Sequence, residues 1–520
     1  MEELGFDLAA IGDGPLKGVY RSRLRRELAG APASFISSLS EDRRIFDYDI
    51  MGTMAHDIML YEQGIIGIED LKAILIALQN IKEKGELKDE GFEDVHEFLE
   101  SKVIEAAGSA KGGKMHTARS RNDQVVTAVR MRARADILNL CKKILELERV
   151  LLKIARKHAL QMMPLYTHTQ GAQVGTFGHY LLSHFDALSR DFERLMNAFA
   201  VVNRNPLGAC AIGGTSFPID RERTTVLLGF DGIVDNSVDA VSSRDFLIEV
   251  NAAISILMSH LSRMSEDLIL WSTSEFDYVE IADEYASPSS VMPQKKNPCV
   301  LELIRARTGH VYGSLLNSLT LVKGLPTGYN RDLQETKPSL WSSFDIAESS
   351  LTVLKGVFST LKIKGRRMDE ASRTGFLTAL DLAELIVQKH GLPFRQAHKL
   401  VGAIVGMCID TKKMPAKLRR EEIRKVAIRS IGKDVRLSKA FLRAALDPRR
   451  CLRRRRSSGS PNPKEVRRML LSRESKLEKM EACLKARFSV LAESERNLLL
   501  TAKRYISGKM MHRFDLIERR

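Results

Sequence analysis

Aromatic residues and prolines are scarce in this 520-residue chain. Phe, Trp and Tyr together make up 6% of the sequence, with only two tryptophans, and there are 15 prolines. This composition favours helices over strands, because strands are enriched in aromatic residues. The hydrophobic content of 44% is typical of a globular chain, and the length allows two or three domains with a large core.

Membrane-spanning runs, a signal peptide and a cysteine framework are also lacking. No apolar run reaches transmembrane length, and the acidic start MEELGFDLAA is unlike a signal peptide. No C-x-x-C spacing occurs among the six cysteines, which stand at 141, 210, 299, 408, 451 and 483. We therefore expect reduced thiols, no zinc site, no membrane partner and a cytoplasmic location. No phosphate-binding loop or dinucleotide fingerprint is present.

The net charge of +16 is confined to the last hundred residues. Residues 421–520 hold 28 Lys+Arg and 12 Asp+Glu, whereas the first 420 residues carry 53 of each sign. The excess peaks in the run Arg453–Arg456. A basic segment can bind nucleic acid. Here the charges are mixed with Glu and apolar residues at helical spacing, so a solvated helical surface is favoured over a nucleic-acid partner.

The centre of the chain has the periodicity of long α-helices. Apolar residues recur at helical spacing from Val125 to Ile154, and neither Gly nor Pro interrupts them before Pro164. Ser120 and Asp123 are suited to cap the start of this helix. A helix of about 35–40 residues would be roughly 55 Å long, which exceeds one compact domain. Further long helices are predicted at about 176–202, 243–273, 298–322 and 339–362.

These patterns predict an all-α fold with three parts. An N-terminal helical domain is expected at 1–114, because short helical stretches there are broken by Gly and Pro. A central bundle of long helices follows at 115–366, and a basic C-terminal helical domain covers 367–520. Rods of this length are typical of a bundle that is shared between subunits.

The most informative segment is SPSSVMPQKKNPCVLE, residues 287–302. Ser289 follows Pro288 and is therefore expected in a loop, while Lys295 and Asn297 stand just before a predicted helix. A serine-bearing loop with cations and amide donors suits an anionic substrate and carbanion chemistry. The segment resembles the signature loop of the fumarase/aspartase superfamily, whose members eliminate fumarate from a substituted succinate. Its MPQKKN form is most similar to that of the argininosuccinate lyase family.

A second polar segment, HTARSRNDQ at residues 116–124, precedes the longest predicted helix. Arg121 can clamp a carboxylate with its planar guanidinium, and Asn122 can both donate and accept hydrogen bonds. Taken alone, the segment could be merely a polar helix start. It resembles the HTxRSRNDQV motif of argininosuccinate lyases, which implies that Ser120, Arg121 and Asn122 hold the substrate.

A third segment, YTHTQGAQVGTFGHY at residues 166–180, contains His168. It follows a proline, and we expect His168 in a turn that enters a helix, where hydroxyl and amide neighbours could orient both imidazole nitrogens. The segment resembles the family motif that carries the active-site histidine. The resemblance implies that Thr167 contacts the substrate and that Glu302 pairs with His168 and fixes its tautomer.

A fourth segment, TGYNRDLQETK at residues 327–337, resembles a run that is more particular to argininosuccinate lyases than to their relatives. Alone it could be a polar loop between helices, but the resemblance places Tyr329, Gln334 and Lys337 on the substrate. A weaker match, FISSLSEDRR, puts Ser38 at a substrate-contacting position. Further weak matches extend the resemblance over nearly the whole chain, among them EDVH at 93–96 and NSVDAVSSRDFLIE at 236–249.

The resemblance implies a three-domain fumarase/aspartase-like fold whose long helices form a multi-helix core in a homotetramer with shared active sites. It implies a lyase without metal or cofactor that cleaves argininosuccinate reversibly to arginine and fumarate, the last step of arginine biosynthesis. Ser289 is the favoured base, with His168 and Glu302 on the acid side, and Lys295 and Asn297 stabilise the carbanion. The sequence leaves open which of Ser289 and His168 removes the proton.

Two other functions fit part of the pattern. Adenylosuccinate lyase or another fumarate-releasing relative shares the loop, but the YNRDLQETK run and the lack of an evident purine-phosphate site argue against it. A catalytically silent structural relative, as in delta-crystallin, keeps the fold without activity. Against that alternative, Ser289, His168, Lys295 and Asn122 are all present.

Overall fold

Long α-helices dominate the structure, a computed structural model in which residues 30–508 are described apart from 86, 88–90 and 414. The first helices are α1 (Gly30–Ile36), α2 (Leu39–Asp42), α3 (Phe46–Glu62), α4 (Ile68–Lys84), α5 (Val95–Ala107) and α6 (Ser109–Gly112). The central helices are α7 (Arg121–Lys157), α8 (Phe177–Val202), α9 (Arg221–Leu228), α10 (Ser237–Ser242), α11 (Asp245–Trp271), α12 (Cys299–Val322) and α13 (Thr336–Thr360). The remaining helices are α14 (Gly365–Ala371), α15 (Ala379–His390), α16 (Phe394–Thr411), α17 (Arg420–Ile431), α18 (Lys439–Leu446), α19 (Pro448–Arg454) and α20 (Pro463–Ile506). The predicted all-α class is confirmed.

Strands are short and few among the described residues. They are β1 (Met162–Thr167), β2 (Gln170–Thr176), β3 (Val279–Glu280), β4 (Ser287–Pro288), β5 (Lys296–Asn297) and β6 (Lys362–Ile363), and they form the antiparallel pairs β1–β2, β3–β6 and β4–β5. Single 3₁₀ turns occupy Arg43–Ile45, Gly113–His116, Asp283–Tyr285, Arg331–Glu335 and Pro415–Lys417. None of the helices in the described part of the chain has the length and apolarity needed to cross a membrane.

The central bundle is built from five helices of 24 residues or more: α7, α8, α11, α12 and α13. The predicted capping pair starts α7, since the Ser120 amide donates to Asp123 Oδ1 at 3.0 Å and the Asn122 amide to Ser120 Oγ at 3.3 Å. With no Gly or Pro to break it, α7 continues for 37 residues. The other predicted long helices are found within a few residues of their expected ends, and α7 packs on α8 while α11 packs on α12.

Buried apolar residues form one large core and a separate C-terminal core. The large core runs through α3, α4, α5 and the central bundle and also includes α20, whose buried residues extend from Val466 to Ala502. The second core lies within residues 382–446, in α15 to α18. Thus α20 returns to the bundle and packs along α7. The division into 1–114, 115–366 and 367–520 stays a prediction.

The segment around His168 is a β-hairpin, so the expected turn entering a helix is wrong. His168 and Thr169 lie at the tip between β1 and β2, both left-handed, with φ of 54° and 56°. Two adjacent left-handed residues give the tight hairpin turn that matches strand twist. Helix α8 begins only at Phe177, where Thr176 caps it by accepting the His179 amide at 3.2 Å.

Candidate active site

A small cavity lies where five helices begin, and we refer to it as the Lys337 cavity. Its volume is about 140 Å³, and residues from the starts of α2, α5, α7, α11 and α13 contribute to its wall. Because the N-terminal end of a helix carries partial positive charge, this convergence favours anionic groups. Six of the predicted site residues line it: Ser38, Arg121, Asn122, Tyr329, Gln334 and Lys337.

A buried ion pair between Lys337 and Asp42 forms the deepest part of the cavity wall. Asp42 is fully buried, and the Lys337 side chain is 5% exposed. Asp42 also accepts a hydrogen bond from Ser38 Oγ at 2.7 Å, and the Ser38 amide donates to the Glu93 carbonyl at 3.0 Å. The lysine and the serine that were predicted to bind substrate are therefore both held by one carboxylate.

Arg121 and Asn122, the first two residues of α7, are held by different partners. Arg121 Nη1 lies 2.9 Å from Asp94 Oδ2 and 3.2 Å from Glu93 Oε1. Asn122 Nδ2 donates to the Ala211 carbonyl at 2.9 Å. Both side chains are part of the cavity wall, whereas Ser120, the other residue of the predicted SRN motif, caps α7 and is not among the residues that line the cavity.

Asp123 fixes the loop that packs on the start of α7. Its Oδ2 accepts the backbone amides of Gly208 at 2.9 Å and Cys210 at 2.8 Å. Burial raises the pKa of this carboxyl, against the opposing effect of the amides of Ser120, Cys210 and Gly208. Asp123 thereby positions Asn122 and the Ala211 carbonyl that it bonds.

The 3₁₀ turn Arg331–Glu335 before α13 supplies Gln334, and Tyr329 lies two residues before that turn. Burial raises the pKa of the Tyr329 phenol, an effect that the nearby Arg244 cation opposes. Gln334 Nε2 donates to the Ile36 carbonyl at 3.4 Å, and Arg331 Nη1 donates to the same oxygen at 2.8 Å. The segment that leads into α13 is thus tied to α1.

Several cavity residues were missed by the sequence analysis, namely Asp42, Asp94, His96, Arg244 and Arg331. Arg244 is 5% exposed, and its Nη1 donates only to carbonyls, those of Val241 at 3.0 Å and Ser243 at 2.8 Å. Burial lowers its pKa to about 10, which leaves it cationic at neutral pH. No carboxylate pairs with it among the described residues, so its charge is available to an anion. Arg244 lies in the segment VSSRDF, which resembles the family, but the resemblance gave this residue no predicted role.

His96 lies against a buried carboxylate beside the cavity. Its Nδ1 is 3.0 Å from Asp49 Oδ2, and Gln124 Nε2 donates to the other Asp49 oxygen at 2.8 Å. Burial lowers the pKa of His96, but the Asp49 charge and hydrogen bond outweigh it, and the net pKa is raised. The pair is a buried support for the cavity, since the His96 and Asp49 side chains are 3% and 1% exposed.

The signature loop, residues 287–297, is closed at its base by β4 and β5. The register pairs Ser287 with Asn297 and Pro288 with Lys296. Between these strands Ser289 Oγ accepts the backbone amides of Val291 at 3.3 Å and Met292 at 3.0 Å. Backbone donors of this kind stabilise an oxyanion.

The two lysines of the loop differ in their contacts. Lys296 Nζ pairs with Asp283 at 2.5 Å and lies 3.6 Å from Glu280. Lys295 is exposed, and its ammonium group forms no bond to Ser289 within the described part of the chain. Its backbone amide donates to the Met292 carbonyl at 3.1 Å. Lys295 can therefore turn towards a substrate without breaking an ion pair in this chain.

The substrate-binding Thr167 and the catalytic His168 and Glu302, all predicted from the sequence, are exposed. Thr167 and His168 stand at the end and tip of the β1–β2 hairpin, and Glu302 lies in the first turn of α12. Within the described residues no hydrogen bond or ion pair joins His168 to Glu302. Among the described residues, those that line the Lys337 cavity include none of Ser289, Lys295, Asn297, Thr167, His168 and Glu302. One chain thus brings together six of the predicted binding residues and leaves Thr167, Asn297 and the predicted acid–base residues apart from them.

Metal-ligand groups are absent from the described residues. No set of three or more His, Cys, Asp or Glu side chains there is placed to hold a metal ion. All six cysteines are free thiols.

Comparison with known families and proteins gives a consistent result. The family described as Lyase matches residues 32–313, and the one described as Argininosuccinate lyase C-terminal matches residues 376–453. An argininosuccinate lyase of Nitrosopumilus maritimus is 46% identical over 88% of this chain and 94% of its own length. One of Methanosarcina mazei is 42% identical over 91% of this chain and 95% of its own length.

Solved structures share the whole architecture. An EDDS lyase crystallised in complex with formate is 29% identical, with a TM-score of 0.84 over 92% of this chain and 95% of that one. A fumarate lyase from Mesorhizobium sp. BNC1, 18% identical with a TM-score of 0.66 over 85% of this chain and 99% of that one, has the same fold. Together with the relatives of more than 40% identity, these matches show that the chain belongs to the argininosuccinate lyase family.

Proposed function

We propose that this protein cleaves argininosuccinate reversibly to arginine and fumarate, as the last step of arginine biosynthesis. The observation that carries the proposal is the mixed charge of the Lys337 cavity, where Asp42 and Asp94 stand beside Arg121, Arg244 and Lys337. Such a wall complements a zwitterion, because carboxylates accept an ammonium or guanidinium group while the cations hold a carboxylate. The arginine end of argininosuccinate has this character. The six free thiols support a cytoplasmic location.

The sequence of the cavity wall favours argininosuccinate over adenylosuccinate. The YNRDLQETK run, which supplies Tyr329, Gln334 and Lys337 to the wall, resembles argininosuccinate lyases more than their relatives. The charges of the wall do not separate the two substrates, because its cations stand beside the carboxylates of Asp42 and Asp94.

The signature loop supplies the groups for proton abstraction. Ser289 Oγ, as an alkoxide held by the amides of Val291 and Met292, would take the proton from the carbon next to a carboxylate. The electrons of that C–H bond form the new double bond, and the C–N bond to the guanidino group breaks. Lys295 and Asn297 would hold the doubly charged carboxylate of the intermediate.

Protonation of the leaving nitrogen falls to His168 with Glu302. His168 stands on an exposed hairpin tip and Glu302 on the exposed side of α12, so each is available to a neighbouring subunit. We place them together across a subunit interface, with Glu302 fixing the tautomer of the imidazole. The proton then moves to the guanidino nitrogen as arginine departs.

A homotetramer with shared active sites is supported by an apolar stripe on α12. Tyr312, Leu316 and Leu319, which lie on one side of the helix, are 47%, 65% and 46% exposed, although α12 is one of the central helices. A stripe of this kind on a bundle helix marks an interface between proteins. Packing α12 against other copies would bury it and bring the signature loop of one subunit to the Lys337 cavity of another.

The experiment is fumarate release from purified protein offered argininosuccinate and, separately, adenylosuccinate. Fumarate from argininosuccinate alone is the expected result, with loss in Ser289→Ala. Release of fumarate only from adenylosuccinate would show that the proposed substrate is wrong. No release from a folded oligomer would favour the alternative that the protein is a catalytically silent structural relative. Circular dichroism of each preparation separates inactivity from unfolding.

A further inference from the structure

A second, larger concavity lies outside the candidate active site, and we call it the arginine groove. Its volume is about 1020 Å³. Its walls come from the β1–β2 hairpin, the first turn of α8, helix α15, the start of α16 and the segment that joins α19 to α20. The cationic residues on its wall are Arg453, Arg454, Arg455, Arg456 and Lys389.

The positive charge of the groove is only partly neutralised. Arg455 lies 3.3 Å from Asp381, and Arg454 Nη2 donates to the Ala444 carbonyl at 2.9 Å, which leaves its charge uncompensated. Arg453 and Arg456 are exposed, and within the described residues their guanidinium groups have no hydrogen-bond or ion-pair partner. Against these cations stands one further carboxylate, Glu384, also exposed.

A buried hydroxyl in the same wall lacks a partner. Ser460 is 8% exposed, and its Oγ makes no hydrogen bond in the described part of the chain. A buried polar group left unpaired costs free energy, so its presence beside a cationic groove is unusual for a purely structural loop. The loop itself is fixed, since His179 Nε2 lies 2.9 Å from the Gly459 carbonyl and Asn462 Nδ2 donates to the Arg455 carbonyl at 2.7 Å.

We propose that the arginine groove binds an anion carrying linked phosphates, a di- or triphosphate. Two free guanidinium groups three residues apart can each hold a different phosphate through paired N–H donors. Neighbouring hydroxyls at Ser457 and Ser460 supply further donors, and Phe394 offers an apolar surface for a nucleoside. Inorganic polyphosphate and a nucleoside polyphosphate share this chemistry.

The position of the groove suggests what an occupant would touch. Leu165 and Gln173, which pair across the hairpin that carries His168, form part of the wall. The family match to the C-terminal segment ends at residue 453, so three of the four consecutive arginines lie beyond it. Binding in the groove does not depend on the proposed reaction, whereas any effect on turnover through the hairpin does.

The test is calorimetric titration of the full-length oligomer with tripolyphosphate and with ATP, at fixed ionic strength. We compare Arg453→Gln/Arg456→Gln with Arg429→Gln/Arg443→Gln, a control that removes two exposed arginines of the same C-terminal part outside the groove. We expect saturable binding by the parent protein. The dissociation constant should rise about 100-fold in the groove variant, because each lost guanidinium contact accounts for about tenfold. The control should stay within about twofold of the parent. Ser460→Ala should weaken binding about threefold, through loss of a neutral donor.

The outcomes are distinct. Tighter binding of ATP than of tripolyphosphate identifies a nucleotide as the occupant, and equal binding identifies the phosphates alone; both support the site. No saturable binding, equal loss in both double variants, or unchanged binding in the groove variant would overturn it. Binding of single-stranded RNA alone would also overturn it, in favour of a nucleic-acid surface. Fumarate release is measured separately, so an inactive enzyme that binds ATP refutes the proposed function and leaves the groove intact.

Discussion

The Lys337 cavity and the signature loop are built in opposite ways. In the cavity, Lys337 and Asp42 form a buried pair, and the wall is built at the starts of helices packed in the large core. The loop, by contrast, is exposed from Ser290 to Lys296, and Val291 is 83% exposed. The comparison indicates that the cavity is preformed in each chain, and we expect the exposed loop to acquire its geometry from substrate and neighbouring subunits.

This difference separates effects on stability from effects on activity. Residues of the cavity contribute to both, because removing one partner leaves a buried charge uncompensated. Residues of the loop contribute to activity alone, since few of their contacts would be lost on unfolding. The predictions below test that separation.

The largest expected effect is on turnover in Ser289→Ala. We expect fumarate release to fall by about 10²–10⁴-fold, the usual contribution of one proton-transfer group, with the melting temperature unchanged. The matched control is Ser290→Ala, the exposed neighbour, which should stay close to the parent in both measurements. An equally large loss of activity in Ser290→Ala would identify Ser290 as the base. Full activity in Ser289→Ala would leave His168 as the base.

A pair of lysine substitutions sharpens the comparison. Lys337→Met should lower both activity and the free energy of unfolding, the latter by about 3–5 kcal/mol, because Asp42 is left charged and buried. Lys295→Met removes an exposed lysine and should lower activity without changing stability. Urea unfolding and fumarate release are measured on both. Equal stability of the two variants would show that the cavity is not the preformed half.

The cavity, unlike the loop, rests on a buried titratable pair, and this predicts a pH dependence. The pKa of His96 is raised in the fold, so the stabilisation by Asp49 is complete below the unfolded pKa of about 6.5 and is lost as pH rises through the folded pKa. Stability should fall over that range by up to about 1.4 kcal/mol per pH unit. Chemical unfolding at several pH values should show that His96→Gln flattens this slope. A slope identical to that of the parent would exclude His96 as its source.

The smallest effect is expected at the start of the loop. Pro288→Gly makes the backbone at the start of the loop more flexible. Ordering that backbone when the loop closes should cost about 1 kcal/mol, which corresponds to a fivefold fall in kcat/KM. Stability should change by less than about 1 kcal/mol. Steady-state kinetics checks the first effect. A higher kcat/KM in the variant would mean instead that Pro288 obstructs closure.

The helices could be read from the sequence, but the hairpin could not. In α7 the apolar period and the Ser120–Asp123 cap are local signals, and both were sufficient. The hairpin has glycine and polar residues where strands usually alternate, and its tip is His168-Thr169 in place of a glycine-containing turn. Its stability comes from packing, for example of Leu165 against the space left by Gly175, where a Cβ would lie 2.6 Å from Leu165.

The candidate site divides in the same way. Motif resemblance supplied Lys337 and Ser38, yet not Asp42, which holds both of them. Asp42 and Arg244 are charged residues near helix ends, and such residues are usually solvated. The burial of Asp42 is visible only in the structure, because its partner Lys337 lies about 300 positions away in the sequence. Roles that depend on long-range contacts are therefore beyond a single sequence.

The most direct test of the central claim is activity in mixed oligomers of Ser289→Ala and Lys337→Met. Each variant alone should be inactive, because every site lacks one half. After co-refolding, some sites combine an intact loop from one subunit with an intact cavity from another, and we predict that fumarate release returns. Mixed oligomers, verified by two affinity tags, that remain inactive would contradict a site shared between chains.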